Sequence, residues 1–188
     1  LDMRMNPHNT LSAYEVINHY PKAELELILR EFVEIHEYKK MAELICTARA
    51  KEPIKSAKEL SSLVARMGSK KKIHPSTLLF QAIRIEVNNE LGVLAELLES
   101  IKNADFEECI VGIISFHSLE DRIVKQTFKL WSQNCICPPE VMRCMCGNHH
   151  AIGKLVSKKP IEASHAEMKK NPRSRSAKLR VFKITKSV

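Results

Sequence analysis

In the first seventy residues apolar positions recur at steps of three and four and are interrupted at short intervals, which predicts a string of short helices. Ser12 and Glu15 have the spacing of a capping box, and Leu11 and Val16 are placed for the matching hydrophobic staple. After Pro21, Leu25, Ile28, Leu29 and Phe32 share one helical face, followed by Tyr38, Met41, Ala42, Ile45 and Ala48. Pro53 breaks the pattern. Ser56 and Glu59 repeat the capping spacing ahead of Leu60, Leu63, Val64 and Met67, with Gly68 as the expected stop. The basic loop 69–72 ends this all-helical unit.

From Pro75 the stripe Leu79, Ile83, Val87, Leu91, Leu94, Leu98 and Ile101 predicts one long helix, with Gly92 a mild weak point. Residues 109–116 form a continuous apolar run. Its length and branched side chains predict a strand buried on both faces, as in a parallel sheet. Ser118 is the expected N-cap of the next helix, with Glu120 and Asp121 in its first turn, where they complement the helix dipole. Ile123, Val124, Thr127, Phe128 and Trp131 would face the sheet. Residues 179–185 predict a last strand with basic residues interleaved. The fold class is therefore α-rich α/β, with too few strands to complete a doubly wound sheet. The glycines, at 68, 92, 112, 147 and 153, include no pair close enough to form a glycine-rich cofactor turn.

Composition narrows the function classes. The chain has 188 residues, 44% of them apolar, enough to bury a real core. No apolar run is long enough to span a bilayer. No charged-then-apolar leader opens these residues, so a cytoplasmic location is expected, and Leu1 in place of Met points to a truncated or processed product. Of the 30 Lys and Arg and 22 Asp and Glu, residues 154–188 hold 11 basic and 2 acidic, so essentially all of the +8 net charge lies there. Such a surplus attracts a polyanion. RNA is favoured over membrane because no amphipathic apolar face accompanies the charge; a solvated basic tail is the plainer alternative.

Three segments carry candidate chemistry. The first is Ser115-Phe-His-Ser-Leu-Glu-Asp-Arg122. It lies at the carboxyl end of the predicted strand, where open α/β sheets bind ligands, and at a helix N-terminus, which favours anionic groups. Ser115, His117, Ser118, Asp121 and Arg122 are the candidates, against the plainer reading that Ser118 and Asp121 cap the helix while His117 fills a polar gap. In the second, Asn171-Pro-Arg-Ser-Arg-Ser-Ala-Lys-Leu-Arg180, Arg173 and Arg175 offer planar forks to phosphates and Lys178 a point charge. Alternation with Ser174 and Ser176 is expected to keep it extended, and a flexible basic linker is the alternative. The third is a cysteine cluster: Cys135, Cys137, Cys144 and Cys146, followed by His149 and His150. Four thiols in twelve residues suit a tetrahedral zinc site, with metal-free reduced thiols as the alternative. Cys46 and Cys109 lie within apolar patterns and are expected in the core.

Together these strings resemble the bacterial ribosomal RNA cytosine-N4 methyltransferases of the MraW type. The resemblance rests on Leu1-Asp-Met-Arg-Met5, Ile73-His-Pro-Ser-Thr77, Phe80-Gln-Ala-Ile-Arg84, residues 114–125, Lys158-Lys-Pro-Ile161 and residues 171–180, in the family's order. It implies a Rossmann-like methyltransferase domain interrupted by an inserted all-helical substrate-recognition domain. Residues 1–7 would be a remnant of the first half of the methyltransferase domain, 8–74 the insertion, and 75–188 the returning half, with a Cys-rich loop at 133–153. The methyl donor implied is S-adenosylmethionine. The implied acceptor is the exocyclic nitrogen of a cytosine in small-subunit ribosomal RNA, so the expected partner is that RNA or the small ribosomal subunit.

In this family the donor-binding segments precede the string matched by residues 1–5, so no cofactor-binding residue is expected among these 188. The resemblance places Asp2, Arg4, Ser115, His117, Ser118, Asp121, Arg122, Arg173, Ser174, Arg175 and Lys178 on the acceptor side, with His117 and Ser118 shaping the cytosine pocket. It names no catalytic group. Two other readings stay open: a non-catalytic, zinc-stabilised RNA-binding module, and a chain completed by a separate subunit or a second copy. Oligomeric state is left open, a dimer included.

Overall fold

The structure is a computed structural model that describes residues 1–33, 36–65, 67, 74–138, 140, 141 and 143–185. It divides into two compact units, Leu1–Glu90 and Leu91–Val188.

The first unit is helical: α1 (Ala13–His19), α2 (Lys22–Val33), α3 (Tyr38–Arg49), α4 (Ala57–Val64) and α5 (Pro75–Asn88). Both predicted serine caps form, Ser12 Oγ accepting from the Glu15 amide at 3.4 Å and Ser56 Oγ from that of Glu59 at 3.1 Å. His74 caps α5 through Nδ1, and Pro75 occupies the first helical position, where its missing N–H costs nothing. Ile17, Leu29, Ile45, Leu60 and Ile83, one from each helix, are fully buried and form the centre of the core. The opening strand of sequence is stitched to α5: Asn88 Oδ1 accepts from the Met5 amide at 2.7 Å, and its Nδ2 donates to the Met3 carbonyl at 2.9 Å. Gly68, the basic loop 69–72 and Ile73 lie outside the described residues.

The single long helix expected from Pro75 is two helices. α5 stops at Asn89, which adopts the left-handed conformation (φ 46°, ψ 42°) and sends its N–H to the carbonyls of Glu86 and Ile85; α6 then runs Glu90–Asn103. Asparagine tolerates this conformation better than other side-chain-bearing residues, so the break falls there rather than at Gly92, which lies inside α6. The apolar stripe is accordingly shared: Leu79, Ile83 and Val87 join the first core, whereas Leu98, with Leu94 and Ile101 beside it, joins the second. Asn89→Ala is expected to cost up to about 1 kcal/mol in urea unfolding: both residues carry a Cβ, but alanine lacks the short polar side chain whose local hydrogen bonding lets asparagine tolerate this region. Asn89→Gly should stay near wild type; an alanine variant as stable as wild type would show that the left-handed stop is dispensable.

The second unit holds β1 (Glu108–Ser115), α7 (Ser118–Trp131), β2 (Gly153–Leu155), β3 (Ile161–Glu162), α8 (His165–Lys170), a 3-10 turn (Pro172–Ser176) and β4 (Lys178–Thr185). β4 is central. It pairs antiparallel with β1 from Glu108↔Thr185 to Ser115↔Lys178, and on its other edge with β2 and β3. This corrects the expectation of a doubly buried strand in a parallel sheet. β1 turns Val111 and Ser115 inward, while Ile110 and Ile114 remain 69% and 57% exposed. Among the described residues β1 is paired along one edge only.

Val124, Phe128 and Trp131 of α7 pack on Val111, Phe182 and Ile184 of the sheet and on Leu98, as the apolar spacing of α7 predicts. Gly153 is required where β2 meets β4, because a Cβ there would stand 2.1 Å from the Lys183 carbonyl oxygen. Among the described residues no helix is long and apolar enough to cross a membrane.

Candidate functional site

At the carboxyl end of β1 the chain turns through Phe116 and His117 into α7. His117 is extended (φ −134°, ψ 163°) and its Nδ1 accepts from the Glu120 amide at 3.4 Å. The Glu120 carboxylate accepts in return from the amides of Phe116 at 2.8 Å and His117 at 3.2 Å, a reciprocal capping box. His117, rather than Ser118, is thus the N-cap, because its ring nitrogen reaches the third helical amide as a serine oxygen would; Ser118 is the first helical residue and is exposed. His117 Nε2 lies 3.3 Å from Glu120 Oε1, with only 9% of the side chain exposed. Burial acts to raise the Glu120 carboxyl, but the His117 side chain and the Phe116 amide outweigh it and the group sits below its ordinary value.

One turn on, Asp121 meets Arg180 of β4 in a bidentate pair, Nε to Oδ1 at 2.7 Å and Nη2 to Oδ2 at 3.0 Å. The Arg180 guanidinium holds the Asp121 carboxyl below its usual range, with Lys178 and Lys125 adding to it. Asp121 is therefore committed to joining helix to sheet. Arg180 is the partner that motif reading passed over, although period two would have found it: Arg180, Phe182 and Ile184 form the buried face of β4. Ser115, also buried, donates from Oγ to the Lys178 carbonyl at 3.3 Å. Arg122 is exposed.

The basic segment is not extended. Pro172–Ser176 forms a 3-10 turn, with Pro172 fixing its start and Asn171 O accepting both the amide of Ser174 at 3.0 Å and its Oγ at 2.8 Å. Ser174 is buried, while Arg173 and Arg175 on either side are exposed. Because Lys178 opens β4 opposite Ser115, the fold places this turn beside the end of β1. Ser115, Asp121 and Lys178 are thus brought together in the second unit, and the arginine turn leads into Lys178 through Ala177. Asp2 and Arg4 belong to the first unit, where they form their own bidentate pair at 2.6 and 3.0 Å. Arg4 holds the Asp2 carboxyl down at about 2, and its remaining nitrogen donates to the carbonyls of Pro7 and Asn9.

The four loop cysteines come together. Cys135, Cys137, Cys144 and Cys146 have their Sγ atoms all within 4.8 Å of one another. Amides of Ile136 and then Asn148 pull the Cys146 thiol down to about 5. For Cys135 the Cys137 amide acts in the same direction, but sulfur hydrogen bonding with Cys144 and desolvation prevail and the thiol is pushed up to about 12.

A family model described as the MraW methylase family matches residues 1–185. The chain belongs to the MraW methylase family. It is 57% identical over 184 residues to the Ribosomal RNA small subunit methyltransferase H of Aliarcobacter butzleri, covering 98% of this chain and 60% of that protein. To the protein of the same description from Sulfurovum sp. it is 55% identical over 187 residues, again 98% and 60% of the two chains. The Campylobacter jejuni (strain 81-176) counterpart is 54% identical over 183 residues, 97% and 59%. The chain therefore spans about 60% of the length of these relatives.

Of the described glycines, Gly92 lies within α6, Gly112 lies within β1, Gly153 packs against the β4 backbone, and Gly147, at φ 84°, belongs to the cysteine loop. The turn after β1 is closed by the His117–Glu120 box.

Proposed function

We propose that the protein carrying this chain transfers a methyl group from S-adenosylmethionine to the exocyclic N4 of a cytosine in small-subunit ribosomal RNA, and that residues 1–188 supply its acceptor side. The observation that carries the reading is the exposed pair Arg173 and Arg175, held beside buried Ser174 at the carboxyl end of β1 within the chain's most basic segment. β1, β2 and β3 all run antiparallel to β4 and so end on this side of the sheet, and ligands of open α/β sheets bind beyond the carboxyl ends of the strands. The description shared by the relatives supports ribosomal RNA as the acceptor.

An exocyclic amine shares its lone pair with the ring and is a weak nucleophile, so acceptor-side residues act by holding it in line with the donor. Planar guanidinium forks suit the phosphates that set this register. Exposed Ser118, next to the His117 cap, is the hydroxyl best placed to approach the base. The donor pocket is assigned to the part of the longer relatives that this chain does not span. The open edge of β1 and the uncovered Ile110 and Ile114 support a sheet that continues on that side. The cytoplasm, where small ribosomal subunits assemble, is the proposed location.

The test uses the intact protein with small ribosomal subunits and labelled donor, followed by nucleoside analysis. N4-methylcytidine is expected; label in any other nucleoside would refute the assignment. Arg173→Ala together with Arg175→Ala should weaken binding and lower the log–log salt slope by about 1.4, from roughly 0.7 per contact on single-stranded RNA. An unchanged slope would remove the phosphate role. Binding by the intact protein without methyl transfer would favour a non-catalytic RNA-binding module.

A further inference from the structure

We propose that Cys135, Cys137, Cys144 and Cys146 form a tetrathiolate zinc site that orders the loop between α7 and β2. The inference is independent of the reaction proposed above.

The sulfur spacing fits a bound ion. Sulfurs bound tetrahedrally to zinc at about 2.3 Å must stand about 3.8 Å apart. Cys146 and Cys135 are 3.8 Å apart and Cys144 and Cys146 3.5 Å, within a group of four whose sulfurs all fall within 4.8 Å. A disulfide needs about 2.05 Å, so these spacings suit a shared ion rather than a sulfur–sulfur bond.

Hydrogen bonds to sulfur favour the same assignment. The two C-x-C arms grip each other reciprocally. Ile136, the middle residue of the first arm, donates its amide to Cys146 Sγ at 3.4 Å; Met145, the middle residue of the second, donates to Cys137 Sγ at 3.3 Å. Amide donors aimed at sulfur stabilise thiolate and orient it, which is the supporting shell a metal site requires. His150 stands outside the ligand set, its Nε2 being 2.8 Å from the Cys146 carbonyl oxygen.

The loop is held at its ends and little between them. Its ends are tied, His150 N–H to Asn134 O at 3.1 Å and Ile152 N–H to Trp131 O at 2.9 Å. Between them, no described residue of 132–152 is buried or belongs to a helix or strand, and Ile136 and Met145 point their apolar side chains to solvent. Apolar burial therefore does not offset the entropy of ordering this segment. A bound ion does, and it is favoured by the ready-made convergence of four soft ligands.

The intact protein, purified in reducing buffer without chelator, should contain about one zinc per chain by elemental analysis. Titration with a mercurial thiol reagent should release that zinc as four thiols react, and cobalt substitution should give the ligand-field spectrum of a tetrahedral tetrathiolate. Cys146→Ser should weaken zinc binding by more than the roughly 10–100-fold that loss of a supporting group costs. Should that variant misfold, the thiol titration of the unaltered protein still decides. Four freely reactive thiols without metal, iron in place of zinc, or a mass lowered by disulfide formation would each overturn the proposal.

Discussion

Replacing Phe128 with alanine is expected to cost about 3–5 kcal/mol, the usual penalty for emptying a large aromatic site in a core. Phe128 is fully buried, with ring centroids 5.4 Å from Trp131 and 5.3 Å from Phe182, and it lies where α7 meets the central strand. The neighbouring rings are fixed by α7 and β4, so they cannot collapse into the space, which places the cost toward the upper end. Trp131 is the only tryptophan of the chain and belongs to the same cluster, so its fluorescence reports directly on this unit during urea unfolding. A loss below about 1 kcal/mol would mean that the three rings do not hold helix and sheet together.

Breaking the Asp121–Arg180 pair should have the next largest effect. Asp121→Asn is expected to cost about 3 kcal/mol near neutral pH, because it leaves a buried guanidinium uncompensated. Arg180 and Asp121 side chains are only 9% and 13% exposed, so solvent screens the pair little. The pH dependence has a definite sign. Arg180 holds the Asp121 carboxyl below its ordinary value in the folded state. Its contribution is therefore complete above the unfolded value of about 3.9 and is lost as pH falls through the lowered folded value. Stability of the wild type should decline with acid across that window, and Asp121→Asn should lose that part of the slope. Asp121→Leu combined with Arg180→Met should recover most of the loss, since apolar pairs often replace buried ion pairs at little cost. A single variant within about 0.5 kcal/mol of wild type would assign the helix–sheet junction to apolar packing alone.

These two contacts mark where sequence reading succeeded and where it stopped. The apolar face of α7 was legible because Val124, Phe128 and Trp131 follow helical spacing, and that spacing alone selects the face that packs. Asp121 was legible as a polar residue in a first turn, but its partner lies 59 positions away, on a strand whose basic residues look alike until the pleat buries one of them. The same holds for His117. An imidazole at the N-cap is chemically equivalent to serine there, yet composition favours Ser118, and only the backbone angles at His117 decide between them.

Sequence by itself determined the features whose physics is local. It located the helices of the first unit and their caps at Ser12 and Ser56, the apolar run of β1, the basic weighting of the last segment, and the motifs that place the chain in its family. Each depends on residues within a few positions of one another, so the pattern and the structure carry the same information. Tertiary structure alone decided the rest. It split one apolar stripe between two cores at Asn89. It made β1 antiparallel with one face open, and it recruited the short β2 and β3, too brief to signal themselves, onto β4. It also folded the arginine segment into a turn and drew two cysteine arms together. In most of these the deciding partner is remote in the chain; at Asn89 and in the arginine turn, local pattern admitted more than one backbone conformation, and the folded chain selected one.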